Sequence, residues 1–277
     1  MSSFEARVIA HSISEVTNKE LVTLVLKYPR FIHSEVMTHR VFSRNASSSR
    51  AIPVKKMLAQ VWNDPAMPVH WGKNQPGMQA REQLSGFKLD CAKALWKLAG
   101  KLACAVAYTA DKLGLHKQVT NRLLEPWQFI SVVVTATEWS NFFELRDHPD
   151  AQPEIQALAR AMKAAIQGST PRLLKSGEWH LPFIQSAELL DYPNADLLKM
   201  SAARCARVSY LTHEGREPSA KADFDLYQKL VGSAPIHASP VEHQACAAKV
   251  LPDQESNLKG WLQYRKLVEA QNGSRSI

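Results

Sequence analysis

Residues 38–50, THRVFSRNASSSR, concentrate hydrogen-bond donors and positive charge in one short segment. The segment holds His39, Arg40, Arg44 and Arg50 among its serines, and it contains neither a glycine nor a carboxylate. It is therefore neither a glycine-rich phosphate loop nor a metal site. Guanidinium and hydroxyl groups at such spacings can bind a phosphate group through several hydrogen bonds at once. The pattern indicates either a phosphate-binding loop or an exposed, serine-rich loop with incidental arginines.

A second cluster of polar residues lies in NFFELRDHPDAQPEI, residues 141–155. Asn141 and Arg146 are five residues apart on an otherwise apolar stretch. Because a charge that closes a buried segment is costly unless it is paired, Arg146 either reaches solvent from a helix end or points into a pocket to meet an anion. Arg122, in the sequence TNRLLEP, allows the same two interpretations.

A third cluster is IHASPVEH, residues 236–243, near the carboxyl end of the chain. Ser239 followed by Pro240 is typical of a helix start, and the free N–H groups of a helix N-terminus can bind phosphate. His237 and Glu242 are potential metal ligands, but their spacing matches no recognised ligand pattern, so we predict no metal site. The chain also lacks the GxSxG, HExxH and GxGxxG motifs, which gives no support to a hydrolase, a zinc protease or a dinucleotide-binding fold.

The composition is that of an ordinary globular protein with a basic surface. Of the 277 residues, 45 % are hydrophobic and 22 % are charged, and the formal net charge is +8. The positive charge favours anionic partners such as nucleotides, phosphorylated cofactors or nucleic acid. The four cysteines are far apart and form no CxxC pair, so we expect reduced thiols. No apolar run is long enough to cross a membrane and the first residues show no signal-peptide pattern, so we expect a cytoplasmic protein.

Hydrophobic periodicity predicts a chain that begins with strands and continues mainly with helices. The predicted strands are 6–13 and 21–29. The predicted helices are 33–42, 87–113, 115–124, 127–146, 151–166, 221–231 and 257–270. We assign 127–146 to a buried helix because of its length, and the proline-rich segment 62–80 to a loop. The sequence thus indicates a single α+β domain over residues 1–270 in which helices dominate, followed by a disordered tail, 271–277.

Taken together, the three clusters resemble the flavin-dependent thymidylate synthases. The signature of that family is Arg-His-Arg, seven residues and then Ser, usually with Arg two positions later; here THR at 38–40 is followed by Ser48 and Arg50. A second hallmark is a helix ending in LR, a short spacer and AQxEI, which residues 141–155 match. Arg122 matches an upstream arginine that the family places four residues before a proline. The resemblance implies a helix-rich α+β fold with a small antiparallel or mixed sheet.

Two further motifs of the family occur in a different order. The family has an AARVSY-like segment and an H-x-S/T-P-x-E-H segment before the signature, whereas this chain carries AARCARVSY at 202–210 and HASPVEH at 237–243, after it. The resemblance therefore implies a circularly permuted member of the family, similar to a phage-type branch. In such a permutation, the chain near His243 would adjoin the strand that begins near Glu20.

The resemblance also implies a reaction and its ligands. In the family, FAD reduced by NADPH delivers a hydride, and methylenetetrahydrofolate supplies a one-carbon unit to C5 of dUMP, which gives dTMP. Ser48, Arg50 and Arg122 would hold the dUMP phosphate, and Arg146 would favour negative charge on the uracil ring. Ser48, Arg50 and Arg146 are thus the candidate catalytic residues. The candidate cofactor-binding residues are His39, Arg40, Asn45, Asn141, Ser209, His237, Ser239 and Glu242.

The chain departs from the family pattern at several of these positions. Thr38 replaces the first arginine of the signature, and Ala46 stands where the family often has glutamate. Two alternatives therefore stay open: a dUMP hydroxymethylase that serves modified DNA, and a noncatalytic nucleotide- or nucleic-acid-binding protein on the same fold. For the latter, Lys93, Lys97 and Lys101 at spacing four would form the basic surface, although a solvated helix face explains them as well. The family builds homotetramers, which we expect here, and we expect no direct binding of nucleic acid.

Overall fold

The computed structural model of the chain describes residues 4–208 and 219–271, with no side-chain description at 252 and 253. Its main sheet is formed, in chain order, by β1 (Glu5–Ser14), β2 (Glu20–Pro29), β3 (Ser43–Ala46), β4 (Phe129–Ala136) and β5 (Arg172–Leu174). The spatial order is β3-β4-β2-β1-β5, and β1 with β5 is the parallel pair. Thr135 of β4 is in register with Thr23 of β2 on one side and with Ser43 of β3 on the other. The sheet therefore places the middle of the signature segment directly beside β4.

A second sheet of three short strands joins the carboxyl-terminal part of the chain to the main sheet. Its antiparallel strands are, in spatial order, β6 (Trp179–His180), β7 (Ala245–Cys246) and β8 (Leu262–Gln263). Leu21 at the start of β2 and Ala245 of β7 belong to one buried apolar cluster, together with Trp261. This contact agrees with the neighbourhood of Glu20 and His243 that a circular permutation requires, and the permutation itself remains a proposal.

Helices account for most of the remaining described residues. They are α1 (His33–Val36), α2 (Val54–Asn63), α3 (Gly86–Lys112), α4 (Lys117–Thr120), α5 (Ser140–Arg146), α6 (Pro153–Gln167), α7 (Glu188–Asp191), α8 (Asn194–Arg207), α9 (Ala220–Leu230), α10 (Pro252–Glu255) and α11 (Tyr264–Gln271). Three 3-10 helices are Arg30–Ile32, Asn121–Trp127 and Ser239–Glu242. Buried Ile155, Leu158 and Met162 pack α6 onto β1 and β2, and burial of each contributes roughly 1.5–3 kcal/mol. This helix-rich α+β architecture confirms the expected fold class.

The structure corrects the helix predicted over 127–146. The chain forms β4 up to Ala136, and α5 begins only at Ser140. Residues 132–134 are β-branched and buried on both faces, so they lack the alternation that distinguishes a half-buried strand, and the length of the apolar run misleads. The helix predicted over 115–124 is also wrong as a single element, because it divides into α4 and the 3-10 helix that follows.

Two further predicted helices are shorter than expected. The helix predicted over 33–42 ends at Val36, and the residues after it form a turn that side chains hold through backbone oxygens. The helix predicted over 257–270 begins only at Tyr264. Gly260 has a φ of 82°, in the left-handed region that interrupts a helix, and β8 begins two residues later.

The long helix α3 contacts the rest of the described structure along one narrow face, which includes Gly100 and Ala107. A Cβ atom at Gly100 would lie 3.1 Å from the ring of Trp127, so glycine allows the close approach. The face away from these contacts carries apolar side chains that are more than half exposed, namely Leu95, Leu98, Leu102 and Val106. No helix of the described residues has the length and apolarity needed to span a membrane.

Candidate functional site

The turn between α1 and β3 presents the first motif residues, and hydrogen bonds from side chains to the backbone hold it. The Arg44 guanidinium, on β3, donates through Nη1 to the backbone oxygen of Met37 at 2.6 Å and to that of His39 at 3.1 Å. The Thr38 hydroxyl donates to the backbone oxygen of Glu35 at 2.7 Å. These bonds give the turn a defined conformation although it belongs to no helix or strand.

His39 lies partly buried between two phenylalanine rings. Its ring stacks on Phe42 at a centroid distance of 5.9 Å and meets the ring of Phe142 edge-on at 4.8 Å. Burial lowers the pKa of His39 below its ordinary value, and the positive charges of Arg146 and Arg44 lower it further. His39 is therefore neutral at neutral pH, and one of its ring nitrogens can accept a hydrogen bond.

Arg146 ends α5 and reaches back onto this turn. Its Nε donates to Nε2 of His39 at 2.9 Å, and its Nη2 donates to the Thr38 hydroxyl at 3.2 Å. The first bond requires the histidine tautomer that carries its proton on Nδ1. Among the described residues no carboxylate pairs with Arg146, and the neighbouring Asp147 pairs instead with two basic residues of α6. Two neutral acceptors thus orient the guanidinium and leave its charge available to a ligand.

Asn45 of β3 links the signature segment to the carboxyl-terminal motifs. Its side-chain amide donates to the backbone oxygen of Cys205, near the end of α8, at 2.7 Å. Its side-chain oxygen accepts from the Ser239 hydroxyl at 3.0 Å, which fixes the 3-10 helix Ser239–Glu242 against β3. The structure thus brings together two predicted site residues that lie 194 positions apart in the sequence.

Glu242 lies in the same region and pairs with Arg265 of α11. Burial raises the pKa of the Glu242 carboxyl, while Arg265 and then Arg44 oppose that rise. The Gln263 side chain donates to the backbone oxygen of Glu242 at 3.0 Å and to the Ser43 hydroxyl at 3.4 Å. An anchored carboxyl group therefore lies within the electrostatic reach of Arg44, the residue that holds the turn.

A chain of buried hydroxyl and imidazole groups continues from these motifs across the main sheet. The Thr135 hydroxyl bonds to Nδ1 of His243 at 2.8 Å and to the Thr23 hydroxyl at 2.7 Å. Thr23 bonds in turn to Nε2 of His180 at 2.8 Å, and Nδ1 of His180 bonds to Ser12 at 2.9 Å. Burial lowers the pKa of both histidines to about 3, so both are neutral. The chain of hydrogen bonds ties the HASPVEH segment to three strands of the main sheet and, through His180, to β6.

Ser48 and Arg50 lie in a turn that follows β3, and both are exposed. The Ser48 hydroxyl accepts from the Arg50 backbone N–H at 3.3 Å. The buried Asn121 side chain donates to the backbone oxygen of Ser49 at 2.7 Å and so anchors the turn from the other side of the chain. Arg122 follows Asn121 directly, and its side chain is 61 % exposed. The bond from Asn121 to Ser49 therefore places the three predicted phosphate ligands, Ser48, Arg50 and Arg122, near one another on the surface.

Four other predicted ligands lie outside these contacts. The side chains of Arg40, Asn141 and His237 are exposed, and no hydrogen bond among the described residues joins them to the turn, to β3 or to Asn121. Ser209 lies outside the described residues. The cofactor-binding roles of these four therefore remain predictions. The described part of the chain contains no group of three or more His, Cys, Asp or Glu side chains that could hold a metal ion.

A family model described as thymidylate synthase complementing protein, Thy1, matches residues 2–172, which is more than half of the chain. This chain belongs to the Thy1 family. The resemblance that the sequence motifs suggested is thereby confirmed. The Thy1 match includes the turn with His39, the segment with Ser48 and the helix that ends at Arg146. The HASPVEH segment lies beyond it.

Two solved structures of the UMP/dUMP methylase PolB from Streptomyces cacaoi are similar to this Thy1 chain. The structure with 5-Br dUMP bound has a TM-score of 0.51 at 16 % identity, and the match covers 60 % of this chain and 90 % of that chain. The structure with 5-Br UMP bound has a TM-score of 0.49 at 16 % identity, and the match covers 60 % of this chain and 89 % of that chain. At 16 % identity, the similarity between this chain and PolB is evidence for a shared fold alone. A comparison with curated proteins gave no match.

The structure adds residues to the Thy1 site that sequence reasoning did not assign to it. Arg44 holds the turn, and its position inside the signature segment was the available signal. Arg265 anchors Glu242, and its place at the end of the segment NLKGWLQYR, which resembles the phage-type branch of the family, was the available signal. Thr135 stands where the family has asparagine near the flavin, but its part in the buried hydrogen-bond chain was not predicted, because a single threonine in the apolar run of β4 is a weak signal.

Proposed function

We propose that this Thy1 protein transfers a one-carbon unit to C5 of dUMP and forms dTMP. The observation that carries the proposal is the contact between Arg146 and His39, because it joins two motifs 107 residues apart into one cationic site. A guanidinium with no carboxylate partner among the described residues is suited to an anionic or electron-rich ligand. A uracil ring that gains negative charge as C5 reacts is such a ligand.

The family and one structural neighbour support this class of substrate. The PolB structure with the higher TM-score is that of a UMP/dUMP methylase with 5-Br dUMP bound. Its ligand carries bromine on C5, the carbon at which we place the new bond. The formal net charge of +8 in the present chain also suits an anionic nucleotide.

In this proposal, Ser48, Arg50 and Arg122 bind the dUMP phosphate. Guanidinium groups can bind phosphate oxygens in a bidentate way, and the serine hydroxyl can donate a further hydrogen bond. The bond from Asn121 goes to a backbone oxygen, and the Ser48 hydroxyl accepts one bond from the Arg50 backbone N–H, so its proton can still be donated to a ligand. Arg122 pairs with Glu125 at 3.7 Å, and its exposed guanidinium has further N–H groups for a phosphate. No general base contacts the Ser48 hydroxyl among the described residues, so we assign Ser48 a binding role and not that of a nucleophile.

In the same proposal, Arg146 stabilises negative charge on the uracil ring. Charge on the ring raises the electron density at C5, so that C5 can attack an electrophilic one-carbon unit. A donor that is already oriented stabilises such charge without the reorganisation that water would need. Because His39 and Thr38 are neutral, they orient the guanidinium and do not cancel its charge.

We assign the remaining ligands to cofactors that the family resemblance implies, namely FAD, NADPH as reductant and methylenetetrahydrofolate as one-carbon donor. The residues that would hold FAD are His39, Arg40, Asn45, Asn141, Ser209, His237, Ser239 and Glu242. Their chemistry fits, since the exposed Arg40 suits a pyrophosphate and the fixed pair of Asn45 and Ser239 offers polar contacts. When bound, the flavin supplies the hydride that completes the methyl group.

We also propose that the protein forms a homotetramer, as the family implies. The apolar face of α3, formed by Leu95, Leu98, Leu102 and Val106, supports an assembly because it is exposed in the single chain. Contiguous apolar surface of this kind is typical of an interface. Light scattering on the purified protein gives the mass of the assembly, and a monomer at working concentration would contradict the proposal.

Product analysis tests the proposed reaction. The purified protein is incubated with dUMP, methylenetetrahydrofolate, FAD and NADPH, and the nucleotide product is identified by mass spectrometry. Formation of dTMP supports the proposal. Formation of 5-hydroxymethyl-dUMP would support the transfer of a one-carbon unit to C5. It would also show that water, and not hydride, completes the reaction. If folded protein binds dUMP and leaves it unchanged, the noncatalytic alternative is correct and the proposal is wrong.

A further inference from the structure

We propose that Thr38 is a positioning residue, which orients the Arg146 guanidinium toward the uracil ring without cancelling its charge. This inference rests on the proposed function, because Thr38 acts through a residue that we place against the substrate. Thr38 stands where the signature of the family has its first arginine. The hydroxyl of Thr38 contacts both Glu35 and Arg146, and these contacts indicate what a threonine can do at this position.

The direction of the hydrogen bond between Thr38 and Arg146 is fixed by a third group. A hydroxyl has a single proton to donate, and that of Thr38 goes to the backbone oxygen of Glu35 at 2.7 Å. The oxygen of Thr38 is therefore an acceptor toward Nη2 of Arg146, 3.2 Å away. The backbone N–H of Thr38 also donates to the Glu35 oxygen, at 3.1 Å, so the acceptor is attached to a defined turn.

Two hydrogen-bond acceptors along one edge of the Arg146 guanidinium fix the orientation of its plane. His39 accepts from Nε and Thr38 accepts from Nη2, whereas a single bond would leave the group free to pivot about that contact. The Nη1 group of Arg146 has no acceptor among the described residues, so this part of the guanidinium is available to a ligand. Two other features steady the site, since Arg44 holds the turn and Phe142, on the same helix as Arg146, packs against His39.

An arginine at position 38 would not serve this purpose. It would replace the acceptor by further donors and would place a second positive charge next to Arg146, and like charges at this short distance repel each other although position 38 is exposed. A carboxylate at position 38 would hold Arg146 but would cancel its charge. A neutral hydroxyl provides orientation alone, which is what a group that stabilises developing charge requires.

Steady-state kinetics with dUMP test the inference in three variants. Thr38→Val keeps the shape of the side chain and removes the acceptor, Thr38→Ser keeps the acceptor, and Ser34→Ala changes an exposed hydroxyl one turn away. We expect Thr38→Val to lower kcat about tenfold with a change in KM of less than about threefold, because a hydrogen bond to a charged group is lost. We expect Thr38→Ser and Ser34→Ala to stay within about twofold of the wild type in kcat.

Two kinetic outcomes would overturn the inference. Wild-type kcat in Thr38→Val would show that the hydroxyl is not needed, and an equal loss in Thr38→Ser would show that packing matters and the acceptor does not. If the wild-type protein makes no product from dUMP, the proposed function is wrong, whatever the role of Thr38. In that case, ligand-free crystal structures of the wild type and of Thr38→Val test whether Thr38 positions the Arg146 guanidinium. A guanidinium that leaves its place in Thr38→Val supports the positioning role, and one that keeps its place overturns it.

Discussion

The two ends of the proposed nucleotide site are built in different ways. At the ring end, Arg146 and His39 are partly buried, and side-chain bonds and aromatic contacts fix both of them. At the phosphate end, Ser48, Arg50 and Arg122 are exposed, and the anchoring bonds go to the backbone of the turn. If the proposed function is correct, this difference predicts that chemistry at C5 depends on a group oriented in advance, whereas the phosphate ligands become ordered when dUMP binds.

The largest effect on turnover is expected at the ring end, when the oriented guanidinium of Arg146 is removed. We expect Arg146→Ala to lower kcat by about 1000-fold, because an oriented donor to the developing charge is lost, while dUMP still binds through its phosphate. Steady-state kinetics and isothermal titration calorimetry measure the two effects separately. Arg160→Ala on α6 is the matched control, since Arg160 is exposed and pairs with Asp147. Equal losses in the two variants would contradict the assignment of Arg146.

Acid should weaken the buried hydrogen-bond chain that ties the HASPVEH segment to the main sheet. Burial lowers the pKa of His180 and His243 to about 3, whereas histidine in an unfolded chain titrates near 6.5. Between these values the unfolded state binds more protons than the folded state. The stability that these histidines contribute is therefore present above about pH 6.5 and is lost as the pH falls toward 3.

Urea unfolding at a series of pH values measures this loss. We expect the free energy of unfolding to fall by up to about 4 kcal/mol between pH 7 and pH 5, which is about 2 kcal/mol for each histidine. His180→Gln should remove about half of the dependence, and His148→Gln, at an exposed position, should leave it unchanged. A wild-type stability that is constant down to pH 5 would show that the buried histidines are not held neutral.

A change at the phosphate end should affect binding more than chemistry. We expect Arg50→Ala to raise KM for dUMP about tenfold and to change kcat by less than about threefold, because a charge-assisted hydrogen bond is lost from an exposed turn. Lys55→Ala is the control, since Lys55 is an exposed basic residue nearby in sequence. If Arg50→Ala lowers kcat at an unchanged KM, the proposed division between the two ends is wrong.

The smallest effect is expected at Lys97 on α3, which forms no ion pair with a proposed site residue among the described residues. Lys97 is exposed, and we expect Lys97→Ala to change kcat by less than about twofold and stability by less than about 0.5 kcal/mol. The same kinetic assay and urea unfolding check this. A large loss of turnover would mean that α3 contributes to a site, for example across an interface between subunits.

Elements with clear periodicity could be predicted from the sequence. The strands predicted at 6–13 and 21–29 are confirmed by β1 and β2, and the helices predicted at 87–113, 151–166 and 221–231 are confirmed by α3, α6 and α9. The two strands are runs of β-branched and aliphatic residues, the second of which ends at Pro29, and the three helices show apolar residues at helical spacing. The strand β4 was not predicted because its buried apolar run continues into the residues of α5, and the combined length of 127–146 favoured a helix.

The sequence motifs assigned to one site residues that the structure brings into contact, such as His39 with Arg146 and Asn45 with Ser239, and their roles remain predictions. The sequence could not show how Thr38 takes part, because its role depends on where α5 ends relative to the turn. Single polar residues inside apolar strands, such as Thr135, give almost no signal, since their partners come from distant parts of the chain.

Release of tritium from dUMP labelled at C5 tests the central claim most directly, because the C5–H bond must break whether the product carries a methyl or a hydroxymethyl group. The wild-type protein, with methylenetetrahydrofolate, FAD and NADPH present, should release tritium to water, and Arg146→Ala should release almost none. Tritium that stays on the nucleotide although the folded wild-type protein binds dUMP would contradict the account.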